Sequence, residues 1–174
     1  FFDLEHHPRD EFGDYDYETP DALDLDLINR HFKELLAGKE IRTPHYDFKT
    51  GRRTMDAHPL RLEPHQLLLV DSLHGLYGRM TEGIPAASMY KLYIETLDQI
   101  RDDHGTFMRW ADHRLLRRMI RDSWHRNQQP MGTITHWHYV RRSELQHIIP
   151  FVDTVDAVIN SALPYELPIL KQRV

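Results

Sequence analysis

The sequence has no cysteine, which excludes disulfides and thiolate metal centres. It has no apolar run near the roughly 20 residues that cross a bilayer. Its acidic, polar opening, FFDLEHHPRDEFGDYDYE, reads as neither a signal nor a transit peptide. Basic residues are not in excess: 22 Lys and Arg stand against 27 Asp and Glu, a net charge of −5. General binding to nucleic acid or membrane draws on a basic surface that displaces counterions, so neither partner is expected. The 13 histidines follow no metal spacing such as HExxH. The nearest groupings are His6-His7, Asp102-Asp103-His104 and His136-x-His138, and the last pair diverges around a helix. A serine-hydrolase GxSxG elbow is missing too. These absences favour a cytoplasmic protein with small ligands.

What is present suits one folded domain. Of 174 residues, 40% are apolar and 28% charged, enough for one core and short for two. Phe1-Phe2 reads as the continuation of something buried, so the chain is expected to be the larger, C-terminal part of a longer domain. Thr19, Pro20 and Asp21 open a predicted helix over about 20–37, with Leu25, Ile28, Phe32, Leu35 and Leu36 on one face and Gly38 as the stop. Ile41–Phe48 and Arg53–Leu62 read as extended, joined by a turn at Gly51-Arg52. Leu67-Leu68-Leu69-Val70 reads as a central parallel strand ending in Asp71. Tyr90–Glu95 and Asp156–Ser161 are further strands, with helices over about 111–127 and 132–148 between them. The alternation predicts an α/β fold with a parallel sheet flanked by helices.

The densest chemistry lies in the helix ADHRLLRRMIRDSWHR. Leu115, Leu116, Met119, Ile120 and Trp124 share one face, while Arg114, Arg117, Arg118 and Arg121 crowd another. Four guanidinium groups together call for negative charge opposite. A phosphate chain would supply it, and so would local pairs such as Asp122 with Arg118 and Arg126. Asp71, at the carboxyl end of an expected strand, stands where a carboxylate holds Mg²⁺ in nucleotide enzymes. Tyr46-Asp47-Phe48 and DYDYETPDALD combine aromatic rings with carboxylates, which suits a sugar or nucleoside and equally suits ordinary loop packing.

Taken in order, DYDYETPDALDLDLI, PHYDFKTGRR, LLLVDSLHGL, DHRLLRRMIRD, VRRSELQHIIPF and INSALPYEL resemble the uridine kinases and their bacterial relatives, within the phosphoribulokinase-like P-loop kinases. The resemblance spans nearly the whole chain. It implies a P-loop NTPase-like fold with a helical lid near 111–148, transferring the γ-phosphoryl group of ATP, with Mg²⁺, to a nucleoside or similar small alcohol. By the resemblance, Asp21 holds ribose hydroxyls and Tyr46 and Phe48 lie near the base. Asp71 takes the place of a metal-side Glu. Arg114, Arg117, Arg118 and Arg121 serve the phosphates when the lid closes, with Arg126 near the acceptor.

Departures accompany the match. No GxxxxGK[ST] loop occurs, since Gly38-Lys39 is followed by Glu40 and Lys33 stands where the first Gly belongs. The family's catalytic carboxylate is expected just ahead of the FFDL-like segment. Gly51 falls near the base-reading His of uridine kinases, and Asp71-Ser72 replaces Glu-Gly. The 174 residues alone are therefore expected to be nearly inactive. A non-catalytic relative that binds a nucleotide or a protein is the alternative, and a sugar-phosphate acceptor a third reading. Self-association into a homo-oligomer is compatible with all three.

Overall fold

Two capping residues in ETPDALD decide how the chain enters its first helix. In the computed structural model, which describes residues 1–2, 6–10, 13, 15–47, 50–126 and 128–173, the Asp21 N–H donates to Thr19 Oγ1 at 3.4 Å. Pro20 then opens a single 3₁₀ turn, Pro20–Ala22. Asp24 caps anew, accepting the Leu27 N–H at 3.0 Å, and helix α1 runs Leu25–Leu36. The one helix expected over 20–37 is thus a turn followed by a shorter helix. Two caps in succession satisfy amides that an unbroken helix would have bonded itself.

Gly38, at φ +74°, ends α1. Its N–H reaches Leu35 O at 2.9 Å and the Lys39 N–H reaches Glu34 O at 3.0 Å. This bond pair is a Schellman motif, which needs a left-handed residue at that place. Leu25, Leu27, Ile28 and Leu35 are buried, and Leu25 and Ile28 pack on Met80 with Phe1, Leu23, Phe32 and Tyr77 around them. Leu36, expected on the same face, is exposed at the helix end.

The chain forms two compact units, residues 1–90 with 143–154 and residues 91–142 with 155–174. In the first, β1 (Ile41–Asp47) and β2 (Arg52–Leu60) make the expected antiparallel hairpin. Gly51, at φ +67°, donates its N–H to Asp47 O at 2.8 Å in the turn, a conformation that favours glycine. The register shifts between Thr43 and His45, where Asp56 at φ 55° marks a bulge. The expected strand at Leu67–Val70 is not formed: the run pairs with no described strand, and Leu67 and Leu69 are 96% and 87% exposed. An apolar run signals burial only where neighbouring strands cover it.

In the second unit, β3 (Leu92–Glu95) and β4 (Ala157–Asn160) pair in parallel, Leu92 opposite Ala157 and Glu95 opposite Asn160. Helices α2 (Trp110–His125) and α3 (Pro130–His147) follow β3 in the chain. A short helix α4 (Glu166–Lys171), which helical periodicity had not signalled, follows β4. The fold is α/β with helices and a parallel sheet, as the alternation predicted. No described helix is long and apolar enough to cross a membrane.

Asp24 also binds Arg53 at 2.9 Å, tying the start of α1 to β2. Replacing it by Ala removes a cap and an ion pair together. Asp24→Ala should destabilise the protein by about 1–2 kcal/mol in urea denaturation, and Asp24→Asn, which keeps the cap, by less.

Candidate functional site

Helix α2 turns two polar residues, His113 and Asp122, into its most deeply buried side chains, while Leu115, Leu116, Met119 and Ile120 are only half-buried and Trp124 is exposed. Arg121 and Arg126 are exposed, but the other three arginines do not form a solvated face. Arg114, Arg117 and Arg118 have side chains only 20%, 34% and 22% exposed. Guanidinium groups so enclosed need carboxylates or aromatic faces, and the second unit supplies both in two clusters.

The first cluster joins α2 to β3 and α4. Arg117 donates from Nε and Nη2 to both oxygens of Glu166, a bidentate pair. Hydrogen bonding to Arg117 holds the Glu166 carboxyl below its ordinary range, and the same bond raises the already high proton affinity of Arg117. Arg114 Nη1 lies 3.3 Å from Glu95 Oε2, with its guanidinium 5.8 Å from the Trp110 ring centre and 6.0 Å from that of Trp137. Glu95 is buried at the end of β3, where its Oε1 accepts the Thr96 N–H at 2.8 Å and Oγ1 at 3.2 Å. His113 is completely buried beneath this group, with Nδ1 on Asp98.

The second cluster centres on Asp122, only 1% exposed. Arg121 donates to its Oδ1 from Nε at 3.1 Å and from Nη2 at 3.0 Å. Arg118 and Arg126 approach it at 3.5 Å, and Thr133 Oγ1 of α3 donates to Oδ2 at 3.3 Å. The local pairing of Asp122 with Arg118 and Arg126 read from the sequence is present, and Arg121 joins it.

The remaining candidates lie in the first unit. Asp21 is exposed and bound to Arg79 at 3.1 Å. Tyr46, on β1, is half-buried with its ring centre 5.3 Å from that of Phe2, and burial raises the pKa of its phenol. Asp71 is exposed in a stretch with neither helix nor strand. Phe48 lies outside the described residues. Among the described residues no three His, Asp or Glu side chains gather around a point where a metal ion could bind. The sequence reading had missed Glu95, Asp98, His113 and Glu166. Glu166 is 49 positions from Arg117, beyond any helical period, and only its place in INSALPYEL hinted at it.

With this geometry in view, comparison with known proteins identifies the family. The model of the phosphoribulokinase / uridine kinase family matches residues 3–166, and the chain belongs to that family. It is 28% identical over 157 residues to a uridine kinase of Chloroflexus aurantiacus, covering 90% of this chain and 66% of that protein. A uridine kinase of Brevibacillus brevis is 29% identical over 158 residues, 90% of this chain and 65% of its own. One from Halobacterium salinarum is 30% identical over 132 residues, 76% and 51% respectively. The chain therefore spans just under two thirds of the length of the first two relatives.

The Arg117–Glu166 pair gives a pH signature. The Glu166 carboxyl binds its proton more weakly in the folded than in the unfolded chain. Its contribution to stability is therefore complete above the unfolded value of about 4.3 and lost as pH falls through the folded one. Glu166→Gln should cost about 2 kcal/mol near neutral pH, and the difference from the wild type should close in acid. Urea denaturation across a pH series measures both.

Proposed function

We propose that the protein containing this chain is an ATP-dependent phosphotransferase that moves the γ-phosphoryl group to a hydroxyl of a nucleoside or similar small alcohol. The observation that carries the reading is the row of arginines on α2, within a family whose similar members are uridine kinases. In the transfer, the acceptor oxygen bonds to the γ-phosphorus as the bond to the bridging oxygen of ADP breaks, and the hydroxyl proton is lost to a base or to solvent. Negative charge on the moving group and on ADP is what fixed guanidinium donors stabilise. Arg114 and Arg117 are our choice for that task, with Arg118 and Arg121 supporting and Arg126 towards the acceptor. Asp21 and Tyr46 would meet the ribose and base, and Phe48 is assigned beside them on sequence alone.

Mg²⁺ would neutralise phosphate charge. A single exposed carboxylate such as Asp71 does not form a closed metal site. It suits an ion that arrives already held by ATP oxygens, because Mg²⁺ commonly takes only one or two protein carboxylates. A cytoplasmic location accords with ATP as donor.

A second reading, a non-catalytic relative that binds a nucleotide or protein partner, draws on one specific observation. Each of Arg114, Arg117, Arg118, Arg121 and Arg126 already meets a carboxylate. Arginines with such partners can serve the fold alone.

Calorimetric titration of the whole protein with Mg·ATP, with and without uridine, separates the readings. The kinase reading expects saturable binding, strengthened by the acceptor and accompanied by ADP formation. Arg117→Ala should weaken ATP binding about tenfold to a hundredfold, the loss of charged hydrogen bonds. ATP binding without turnover on any of a nucleoside panel would favour the second reading, and absence of ATP binding would refute the first.

A further inference from the structure

His113 has a carboxylate at each ring nitrogen and no exposure to solvent. Nδ1 is bonded to Asp98, and Nε2 lies 3.4 Å from Glu166 Oε2 without completing a hydrogen bond. A neutral imidazole carries one N–H, so either tautomer leaves a bare nitrogen lone pair facing carboxylate oxygen. Only the imidazolium can donate to both. Positive charge is already in place close by: Arg117 fills Glu166 in bidentate fashion, and Arg114 stands on Glu95. The charged groups around the ring are thus Asp98 ahead of α2, Glu95 at the end of β3, Glu166 on α4, and Arg114 and Arg117 on α2 itself.

Arg117 cannot leave Glu166 without consequence. The carboxylate is largely enclosed, its side chain 14% exposed, and a buried charge that loses its partner is strongly unfavourable. Among the described residues, His113 brings a second donor nitrogen to 3.4 Å from Glu166 Oε2. We propose that His113 is a positioning residue that takes a proton and secures Glu166 when Arg117 turns from that carboxylate to a phosphate. This rests on the proposal that α2 receives phosphate. Proton uptake by His113 and release of Arg117 then favour one another, and linkage makes the coupling reciprocal. No bond between heavy atoms changes: a proton leaves its solvent oxygen and forms an N–H bond at Nε2, and Glu166 exchanges a guanidinium for an imidazolium.

The latch can be tested without any ligand. Ring-nitrogen NMR of the full chain follows the His113 titration in the wild type, in Arg117→Gln and in Glu166→Gln. With the arginine charge removed the ring should hold its proton to higher pH than in the wild type, and with the second carboxylate removed only to lower pH. Midpoints that do not move in either variant overturn the proposal. If the variants do not fold, calorimetry on the wild type decides. Tripolyphosphate titrated in buffers of different ionisation heat, between about pH 6 and 8, should show net proton uptake. Binding with no uptake overturns the latch and leaves the phosphate site standing. No tripolyphosphate binding removes the phosphate site, and the wild-type titration then decides alone: a His113 that never protonates across that range overturns the latch.

Discussion

An arginine withdrawn from water is stable only if an anion or an aromatic face meets it, and the second unit is arranged around that requirement. Helix α2 sends its guanidinium groups towards Glu95, Asp122 and Glu166, which come from β3, from α2 itself and from α4. The carboxylates are buried more deeply than the arginines, so the helix is anchored through its polar side. Its larger apolar residues, Leu115, Leu116, Met119 and Ile120, are only half-buried and serve as a secondary contact. The usual division of an amphipathic helix into a dry apolar face and a wet charged one does not hold here.

The same arrangement gives the helix its functional ambiguity. A guanidinium paired with a carboxylate is preorganised for a phosphate, since both present oxygens in one plane to the same fork of donors. It is also occupied, so a phosphate arriving there would have to compete with an internal anion. The two clusters differ in how much that exchange would disturb. Asp122 holds three arginines and Thr133, so losing one donor leaves others. Glu166 has Arg117 and, at 3.4 Å, His113. That difference singles out Arg117 as the arginine whose departure would call for a replacement.

The first unit follows more local rules. Thr19, Asp24 and Gly38 set the bounds of the opening turn and of α1 through hydrogen bonds spanning a few residues. Gly51 permits the hairpin through its left-handed backbone. The Gly51 that departs from the uridine kinase pattern thus has a conformational task at its own position, independent of any ligand.

How much the sequence revealed follows from the range of the forces involved. The Thr19 cap, the helix stop, the hairpin turn and the strands at Leu92–Glu95 and Ala157–Asn160 were legible because neighbours within a few positions determine them, whereas the second cap at Asp24 was not read. The ordered motifs carried the family, and the Asp122 pairing was readable as an i,i+4 contact. Sequence alone determined most of the helices and strands, the family and the identity of the arginines. Tertiary structure decided that Leu67–Val70 would lie exposed, that Glu95 and Glu166 would meet Arg114 and Arg117, and that His113 would be buried between two carboxylates. Those outcomes depend on side chains brought together from up to 53 positions apart, the separation of His113 from Glu166, and no local pattern encodes which distant charge will neutralise which.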